Sequence, residues 1–238
     1  MKTILHKAHT RGHANHGWLN SYHTFSFAGY YDEERTRFGL LRVLNDDTVA
    51  AGMGFDKHPH DNMEIVSIPL AGDLHHNDST GRSKIIKQGD VQIMSAGSGI
   101  THSEMNANKD KEVQFLQIWI FPEKRNITPR YEQKTFSVEE RKNTLQTVVA
   151  PDNANALWIN QQAWFTLGNF DKDVTTTYQL HNKENGVYVF VINGDVSIND
   201  VELNKRDGLG ITETDSLHIK ANSQTEILLI EVPLRLNK

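Results

Sequence analysis

The sequence predicts an all-β protein built from two similar units in tandem. Short runs rich in Val, Ile, Leu and Phe alternate with turn residues, and helical periodicity is weak almost everywhere. An internal repeat predicts the two units. The chain of 238 residues has the length of one or two domains, and its hydrophobic content of 37% is sufficient for a packed core.

The predicted strands are separated by turns such as Ala71-Gly72-Asp73 and Asn193-Gly194-Asp195. The best helix candidate is the short stretch 137–141, where Ser137 precedes Glu140 by three residues, in the order of a capping box. A mostly β sandwich or barrel follows from this pattern. The clearest predicted strands are residues 39–44, 64–70, 113–121, 187–192 and 226–232.

The repeat pairs residues 65–78 (IVSIPLAGDLHHND) with residues 187–200 (VYVFVINGDVSIND), at a constant offset of 122. Both copies begin with apolar residues, turn at Gly-Asp and end in Asn-Asp. A second pairing places Asp90 against Asp207 at an offset of 117, so a loop is five residues shorter in the second copy. The boundary between the units is expected within residues 122–156, a polar stretch that contains three prolines.

Composition excludes several classes of function. The net charge of −5 argues against a protein that binds the nucleic-acid backbone. The absence of cysteine excludes disulfides, thiolate metal sites, iron–sulfur clusters and cysteine nucleophiles, so any metal must be held by His, Asp or Glu. No segment approaches the roughly 20 apolar residues that span a bilayer, and no signal-like apolar region opens the chain. We therefore expect a soluble, cytoplasmic protein without direct contact to membrane or nucleic acid.

The histidines are concentrated in the first half of the chain, where ten of the twelve lie between His6 and His102. The four earliest, from His6 to His16, are interpreted as residues of a solvated segment, because glycines among them make a long helix improbable. Candidate metal chemistry is therefore expected in the first unit.

Two pairs of ligand-type side chains form the main functional signal. His58 and His60 lie two residues apart, so that on a strand both point to the same face, and Glu64 has the same parity. His102 and Glu104 form a second such pair, directly after a glycine-rich turn. Two strands with two convergent side chains each predict a site of three histidines and one carboxylate. This donor set suits one divalent transition metal, Fe(II), Mn, Ni, Cu, Co or Zn.

Further stretches accompany these pairs: Gly17-Trp18-Leu19, His23-Thr24-Phe25-Ser26-Phe27, Leu41–Asp47, His76-x-Asp78-Ser79-x-Gly81, Gly89-Asp90-Val91-Gln92 and Met94–Glu104. Together with the arrangement G-x5-HxH-x3-E, they resemble the cupin pattern and, more narrowly, the pirin family. The match is dense over residues 17–104 and weak after residue 130. The resemblance implies an all-β bicupin, two tandem cupin β-barrels with few short helices. We place an N-terminal metal-binding cupin domain at residues 1–130 and a C-terminal degenerate cupin domain at residues 131–238.

The resemblance also implies the ligands. In pirin-like proteins the metal, most often iron, would be bound by His58, His60, His102 and Glu104. In ordinary cupins the carboxylate ligand would instead be the equivalent of Glu64, which here becomes a candidate for orienting a ligand histidine. The sequence leaves this choice between the two carboxylates open.

Some pirin-like proteins resemble quercetin 2,3-dioxygenases, which open a flavonol ring with O₂ and release carbon monoxide. The implied catalytic residue is Glu104, which would take the proton of the flavonol 3-hydroxyl while the metal acts as a Lewis acid. Phe25, Phe27, Phe55 and Met63 are candidates for an apolar pocket around a small aromatic substrate.

The alternative function is that of an iron-binding, redox-sensing regulator that binds a protein partner without turnover. For either function we expect a monomer, because a bicupin encloses its own sheet interface.

The second unit lacks ligand-type residues at the matching positions. The two offsets place Leu180 and Asn182 where the first histidine pair stands, and Ile219 and Ala221 where His102 and Glu104 stand. None of these residue types is a typical metal ligand, so we expect no metal in the C-terminal unit.

Overall fold

The computed structural model describes residues 1–236 and contains 22 strands and three short 3₁₀ turns. The first strands are β1 (Lys2–His6), β2 (Gly12–Asn15), β3 (Leu19–His23), β4 (Leu41–Val49), β5 (Gly54–His60), β6 (Glu64–Ala71), β7 (Leu74–Asp78), β8 (Ser83–Ile86), β9 (Asp90–Ser95), β10 (Ile100–Asn106) and β11 (Val113–Ile120). The others are β12 (Arg130–Thr135), β13 (Leu145–Ala150), β14 (Leu157–Trp158), β15 (Trp164–Phe170), β16 (Thr175–Gln179), β17 (Asn185–Asn193), β18 (Val196–Ile198), β19 (Val201–Leu203), β20 (Gly208–Thr212), β21 (Ser216–Ala221) and β22 (Thr225–Pro233).

The strands form two barrels, each made of a seven-stranded and a four-stranded sheet. The first barrel combines the order β12-β9-β6-β11-β4-β3-β2 with β5-β10-β7-β8. The second combines β1-β20-β17-β22-β15-β13-β14 with β16-β21-β18-β19. This architecture confirms the prediction of an all-β protein with two tandem barrels. Among residues 1–236 no helix is long and apolar enough to cross a membrane.

Two strands cross the predicted division at residue 130. Strand β12 completes the large sheet of the first barrel, although most of it follows residue 130. Strand β1 pairs with β20 of the second barrel, although it opens the chain. Sequence order could not reveal this exchange, because the backbone of an edge strand pairs equally well with either sheet.

The predicted helix is shorter than expected. It is a single 3₁₀ turn, Glu139–Arg141, and the Glu139 amide donates a hydrogen bond to the Ser137 hydroxyl.

The two large sheets pack face to face, and strand periodicity divides their side chains between two environments. In β17, Tyr188, Phe190 and Ile192 belong to the apolar cluster between the sheets, whereas Val187 and Val189 fill the second barrel. In β6 of the first barrel, Val66 and Ile68 likewise pack between the sheets. The residue between them, Ser67, faces the interior of the first barrel. The repeat places Ser67 against Val189, so one barrel has a polar interior position where the other is apolar.

An ion-pair network also joins the barrels. Asp46 on β4 accepts hydrogen bonds at one carboxylate oxygen from Arg11 Nη1 at 3.2 Å and from Arg206 Nε at 2.9 Å. Arg11 precedes the first barrel's strand β2, and Arg206 precedes the second barrel's strand β20. All three side chains are largely buried. Removal of the carboxylate would therefore leave two desolvated cations without their partner.

We expect Asp46→Ala to lower the free energy of unfolding by about 3 kcal/mol, the typical cost of breaking a buried ion pair. Urea denaturation of the metal-free protein measures this change. Glu213→Ala is the matched control, because its pair with Lys2 is exposed and contributes little. Equal effects of the two substitutions would contradict the proposed link between the barrels.

Candidate metal centre

Three imidazoles meet where β5 and β10 pair. His58 stands opposite His102 in the strand register, and His60 lies two residues further along β5. The ring centroids of His58 and His102 are 4.4 Å apart, and His60 lies 4.9 Å from each of them. One ligand nitrogen of each ring lies within 4.8 Å of the ligand nitrogens of the other two. The sequence-predicted histidines are thus brought together.

The protonation of these rings fits metal binding, which requires neutral imidazole. Burial is the main cause that lowers the pKa of His60 to about 4 and that of His102 to about 2, so both are neutral at pH 7. The His58 Nδ1 lies 2.7 Å from the Asp56 carbonyl oxygen, so it donates its proton there and its Nε2 is free to ligate. His102 Nε2 is buried without a hydrogen-bond partner. A bound metal ion would satisfy this nitrogen, and the residues therefore fit such an ion.

Glu104 is on the same face of β10 as His102 and is almost fully buried, but it does not belong to the group of atoms within 4.8 Å. Instead it receives a hydrogen bond from Gln117 Nε2 at 2.5 Å. The Ser67 hydroxyl lies 3.1 Å from the other Glu104 oxygen and 2.9 Å from the Gln117 amide oxygen. The structure thus places the predicted carboxylate beside the imidazoles, within a polar network.

The hydrogen-bond count of this network favours a protonated Glu104. A serine hydroxyl has one proton and cannot serve two acceptors at once. If Glu104 carries a proton, it donates to Ser67, Ser67 donates to Gln117, and Gln117 donates back to Glu104. Burial acts in the same direction and raises the pKa of Glu104 to about 7. Glu104 can therefore hold or release a proton near neutral pH.

A cavity of about 200 Å³ opens beside the histidines. Phe27 and Phe55, two of the four predicted pocket residues, line it. Phe25 instead packs in the apolar cluster between the sheets, and Met63 packs at another cluster of the first barrel. The cavity lining comprises Ala14, His16, Leu19, Ser21, His23, Phe27, Ala28, Asn45, Asp47, Phe55, His58, His60, Glu104, Gln117 and Trp119.

The sequence reasoning missed the polar residues of this cavity. His23, Asn45 and Gln117 stand side by side in the register of β3, β4 and β11. His23 Nδ1, Asn45 Oδ1 and Trp119 Nε1 are buried without a hydrogen-bond partner. The sequence carried a signal only in β11, where the buried Gln117 interrupts a mainly apolar strand, whereas β3 and β4 contain several polar residues. Such atoms are available to a ligand with hydroxyl or carbonyl groups.

Glu64 has a different environment from Glu104. It is fully buried, and its Oε2 accepts hydrogen bonds from Ser95 Oγ at 2.7 Å and from the Asn160 amide at 3.2 Å. It lies outside both the histidine group and the cavity lining. Because Asn160 belongs to the C-terminal half of the chain, Glu64 links the two barrels.

Three of the four early histidines, His9, His13 and His16, are exposed, as expected, and His16 also lines the cavity of the first barrel. His6 is buried, contrary to the expectation, and its Nδ1 lies 2.8 Å from the Tyr188 hydroxyl of the second barrel. This contact joins chain segments that are distant in sequence, so local spacing gave no indication of it.

In the second barrel, the positions that match His102 and Glu104 serve packing. Ile219 and Ala221 are buried in its apolar cluster. His181 stacks on Trp164 with 4.4 Å between ring centroids and lies 3.0 Å from a Glu231 oxygen. His218 is exposed on β21. The interior that holds the histidine group in the first barrel is thus filled by apolar side chains here.

Comparisons with known proteins agree with this architecture. Residues 5–120 match the family model of pirin, and residues 147–232 match that of the quercetinase C-terminal cupin domain. The chain is 44% identical to quercetin 2,3-dioxygenase of Escherichia coli K12 over 230 residues, which cover 96% of this chain and 98% of the relative. The chain belongs to the pirin family. A pirin-like protein of Caulobacter vibrioides is 39% identical over 222 residues, covering 92% of this chain and 95% of that relative.

A solved member of the family bears on the metal. The bacterial pirin YhhW of Escherichia coli, in complex with nickel(II), superposes with a TM-score of 0.92 at 42% identity, covering 98% of this chain and 99% of that one. Together with the three converging imidazoles, this relative supports a divalent metal in the chain described here.

We expect the purified protein to bind one divalent metal ion per chain, and His102→Ala to bind none at the same metal concentration. Loss of one imidazole removes a third of the nitrogen donors that converge on the ion. Elemental analysis after dialysis measures the stoichiometry.

His218→Ala, an exposed histidine of the second barrel, serves as the control and should retain one ion. Two ions per chain in the wild type, or loss of the ion in His218→Ala, would contradict a single centre in the first barrel.

Asp47 provides a test of the cavity's electrostatics in the metal-free protein. Burial raises its pKa from 3.8 to about 7, so the folded state favours the protonated form, and the chain loses stability as pH rises through this interval. Asp47→Asn removes the ionisable group and retains an acceptor for Ser21. We expect its Tm to exceed that of the wild type at about pH 8 and the difference to vanish at about pH 4.

Thermal denaturation followed across this pH range measures the difference in Tm. The exposed Asp110→Asn is the matched control and should show no such trend. A difference between Asp47→Asn and the wild type that is the same at both pH values would show that Asp47 is not desolvated.

Proposed function

We propose that this chain is a metal-dependent quercetin 2,3-dioxygenase that opens a small, flavonol-like aromatic substrate with O₂. The observation that carries the proposal is the convergence of three imidazoles, two of which line one cavity together with a buried, protonatable carboxyl. The 44% identity to a quercetin 2,3-dioxygenase over nearly the whole chain supports the same reaction.

We assign the metal to His58, His60 and His102, with Glu104 as the fourth donor. The convergence of the imidazoles and the position of Glu104 on the same strand face as His102 support this set. When bound, a divalent ion would supply Lewis-acid polarisation of a substrate oxygen and a centre for reaction with O₂. Fe(II) is the proposed ion in the cell, because nitrogen and oxygen donors with open positions suit it.

Glu104 is the proposed base. In the metal-free chain burial raises its pKa to about 7, so a Glu104 that is not engaged as a ligand can accept the proton of a flavonol 3-hydroxyl at neutral pH. The accepted proton would complete the ring of hydrogen bonds through Ser67 and Gln117. The network therefore has a place for the proton taken from the substrate, and Ser67 and Gln117 would hold the carboxyl in position.

The remaining cavity wall fits a flat, hydroxylated ring system. Phe27, Phe55 and Trp119 provide aromatic surface, and Phe27 contacts Trp119 edge to face with 5.4 Å between ring centroids. His23 Nδ1 and Asn45 Oδ1 have no protein partner and would hydrogen-bond to polar groups of the substrate. A monomeric state, a cytoplasmic location and a protein partner stay predictions from the sequence.

We expect the iron-loaded protein to consume quercetin in the presence of O₂ and to release carbon monoxide, and Glu104→Gln to lower kcat by at least about 100-fold, the usual contribution of a general base. Loss of flavonol absorbance and detection of carbon monoxide measure the reaction. The exposed Glu112→Gln is the control and should retain activity. Metal content, measured in parallel, separates loss of the base from loss of the ion.

Absence of turnover by the wild type with every metal of the divalent series would contradict the enzymatic function. It would favour the alternative, an iron-binding regulator that uses the same ligands to sense redox state and bind a protein partner.

A further inference from the structure

A chain of three buried side chains leads away from the metal centre on β7 and β10. His102 Nδ1 lies 3.5 Å from His76 Nδ1, and His76 Nε2 lies 2.9 Å from Asp78 Oδ2. The side chains of His76 and Asp78 are fully buried. The Tyr131 ring packs against His76 with 4.7 Å between ring centroids, which holds the imidazole in place. Neither His76 nor Asp78 belongs to the group of converging ligand atoms.

The direction of these hydrogen bonds is determined by Asp78. Its Oδ1 accepts from the Thr80 amide at 2.8 Å, the Thr80 hydroxyl at 2.5 Å and the Arg82 amide at 3.4 Å, so Oδ2 is the oxygen that faces His76. An ionised carboxylate can only accept, and the facing His76 Nε2 must therefore carry the proton. A neutral imidazole has a single N–H, which leaves His76 Nδ1 as an acceptor.

The same logic continues into the ligand. Because His76 Nδ1 is an acceptor, His102 Nδ1 carries a proton and donates it toward His76. His102 Nε2 then has a free lone pair, and this is the nitrogen that is buried without a hydrogen-bond partner. We propose that Asp78 and His76 are positioning residues that hold His102 in the Nδ1–H tautomer and so present its Nε2 to the metal. This inference rests on the metal site of the proposed function.

Asp78→Asn tests the inference with a nearly isosteric change. The Thr80 and Arg82 donors would hold the new amide oxygen at the Oδ1 position, so the amide NH₂ would face His76 Nε2. His76 would then carry its proton on Nδ1, and His102 would be driven to the Nε2–H tautomer, whose protonated Nε2 cannot ligate. We expect the nitrogen chemical shifts of His102 in the metal-free protein to report this switch, and the Kd for nickel(II) to rise about 10- to 100-fold.

Matched variants separate tautomer control from packing. His75→Gln, on the opposite face of β7, should leave both the His102 tautomer and the nickel(II) Kd unchanged. His76→Asn retains an acceptor near the position of Nδ1 and should preserve the wild-type tautomer, whereas His76→Leu provides none and should lose it. This pair keeps the proposal testable if Asp78→Asn does not fold.

The measurements have distinct outcomes. An Nδ1–H tautomer of His102 in Asp78→Asn, or an unchanged nickel(II) Kd despite a switched tautomer, would overturn the proposal. Weaker nickel binding without a change of tautomer would also overturn it, since that result indicates a packing effect. A wild-type protein that binds no metal would instead refute the proposed function, while the metal-free spectra would still decide whether Asp78 and His76 set the tautomer.

Discussion

The interior of the first barrel is arranged around three imidazoles that converge on one point. No hydrogen bond joins these three rings to one another, and a metal ion bound where they converge would stabilise the cluster. Two of the rings have a hydrogen-bond partner on the side that faces away from the point of convergence. This partner is the Asp56 carbonyl for His58 and His76 for His102. Each of these partners leaves the inner nitrogen free.

The two barrels share one architecture but have opposite interiors. Both large sheets present apolar residues to each other, and this common face accounts for the largest apolar cluster. On the other face the second barrel is filled by residues such as Val189 and Ile219, whereas the first has Ser67 and Gln117 around a buried carboxyl. A buried carboxyl is costly unless it is hydrogen-bonded, which explains the extended hydrogen bonding around Glu104.

Several features were predictable because they depend on local spacing. Strand periodicity places residues i and i+2 on one face, so the histidine pair 58 and 60 and the pair of His102 and Glu104 could be recognised from their spacing alone. The five predicted strands coincide closely with observed ones, and the repeat with its two offsets indicated the second barrel. Residue types at the matching positions also showed that the second unit lacks the ligand pattern.

The features that escaped prediction depend on contacts between distant segments. The exchange of edge strands, the burial of His6 against Tyr188 and the link from Glu64 to Asn160 each join residues far apart in the chain. By itself, the sequence determined the strands, the two-unit organisation and the candidate ligands, since these follow from short-range periodicity and residue type. Only the tertiary structure decided which carboxylate lies beside the histidines and which side chains stand behind them. Strand β7 lies next to β10 because the two strands pair across a long distance in the sequence. Spacing along the chain does not determine which strands pair.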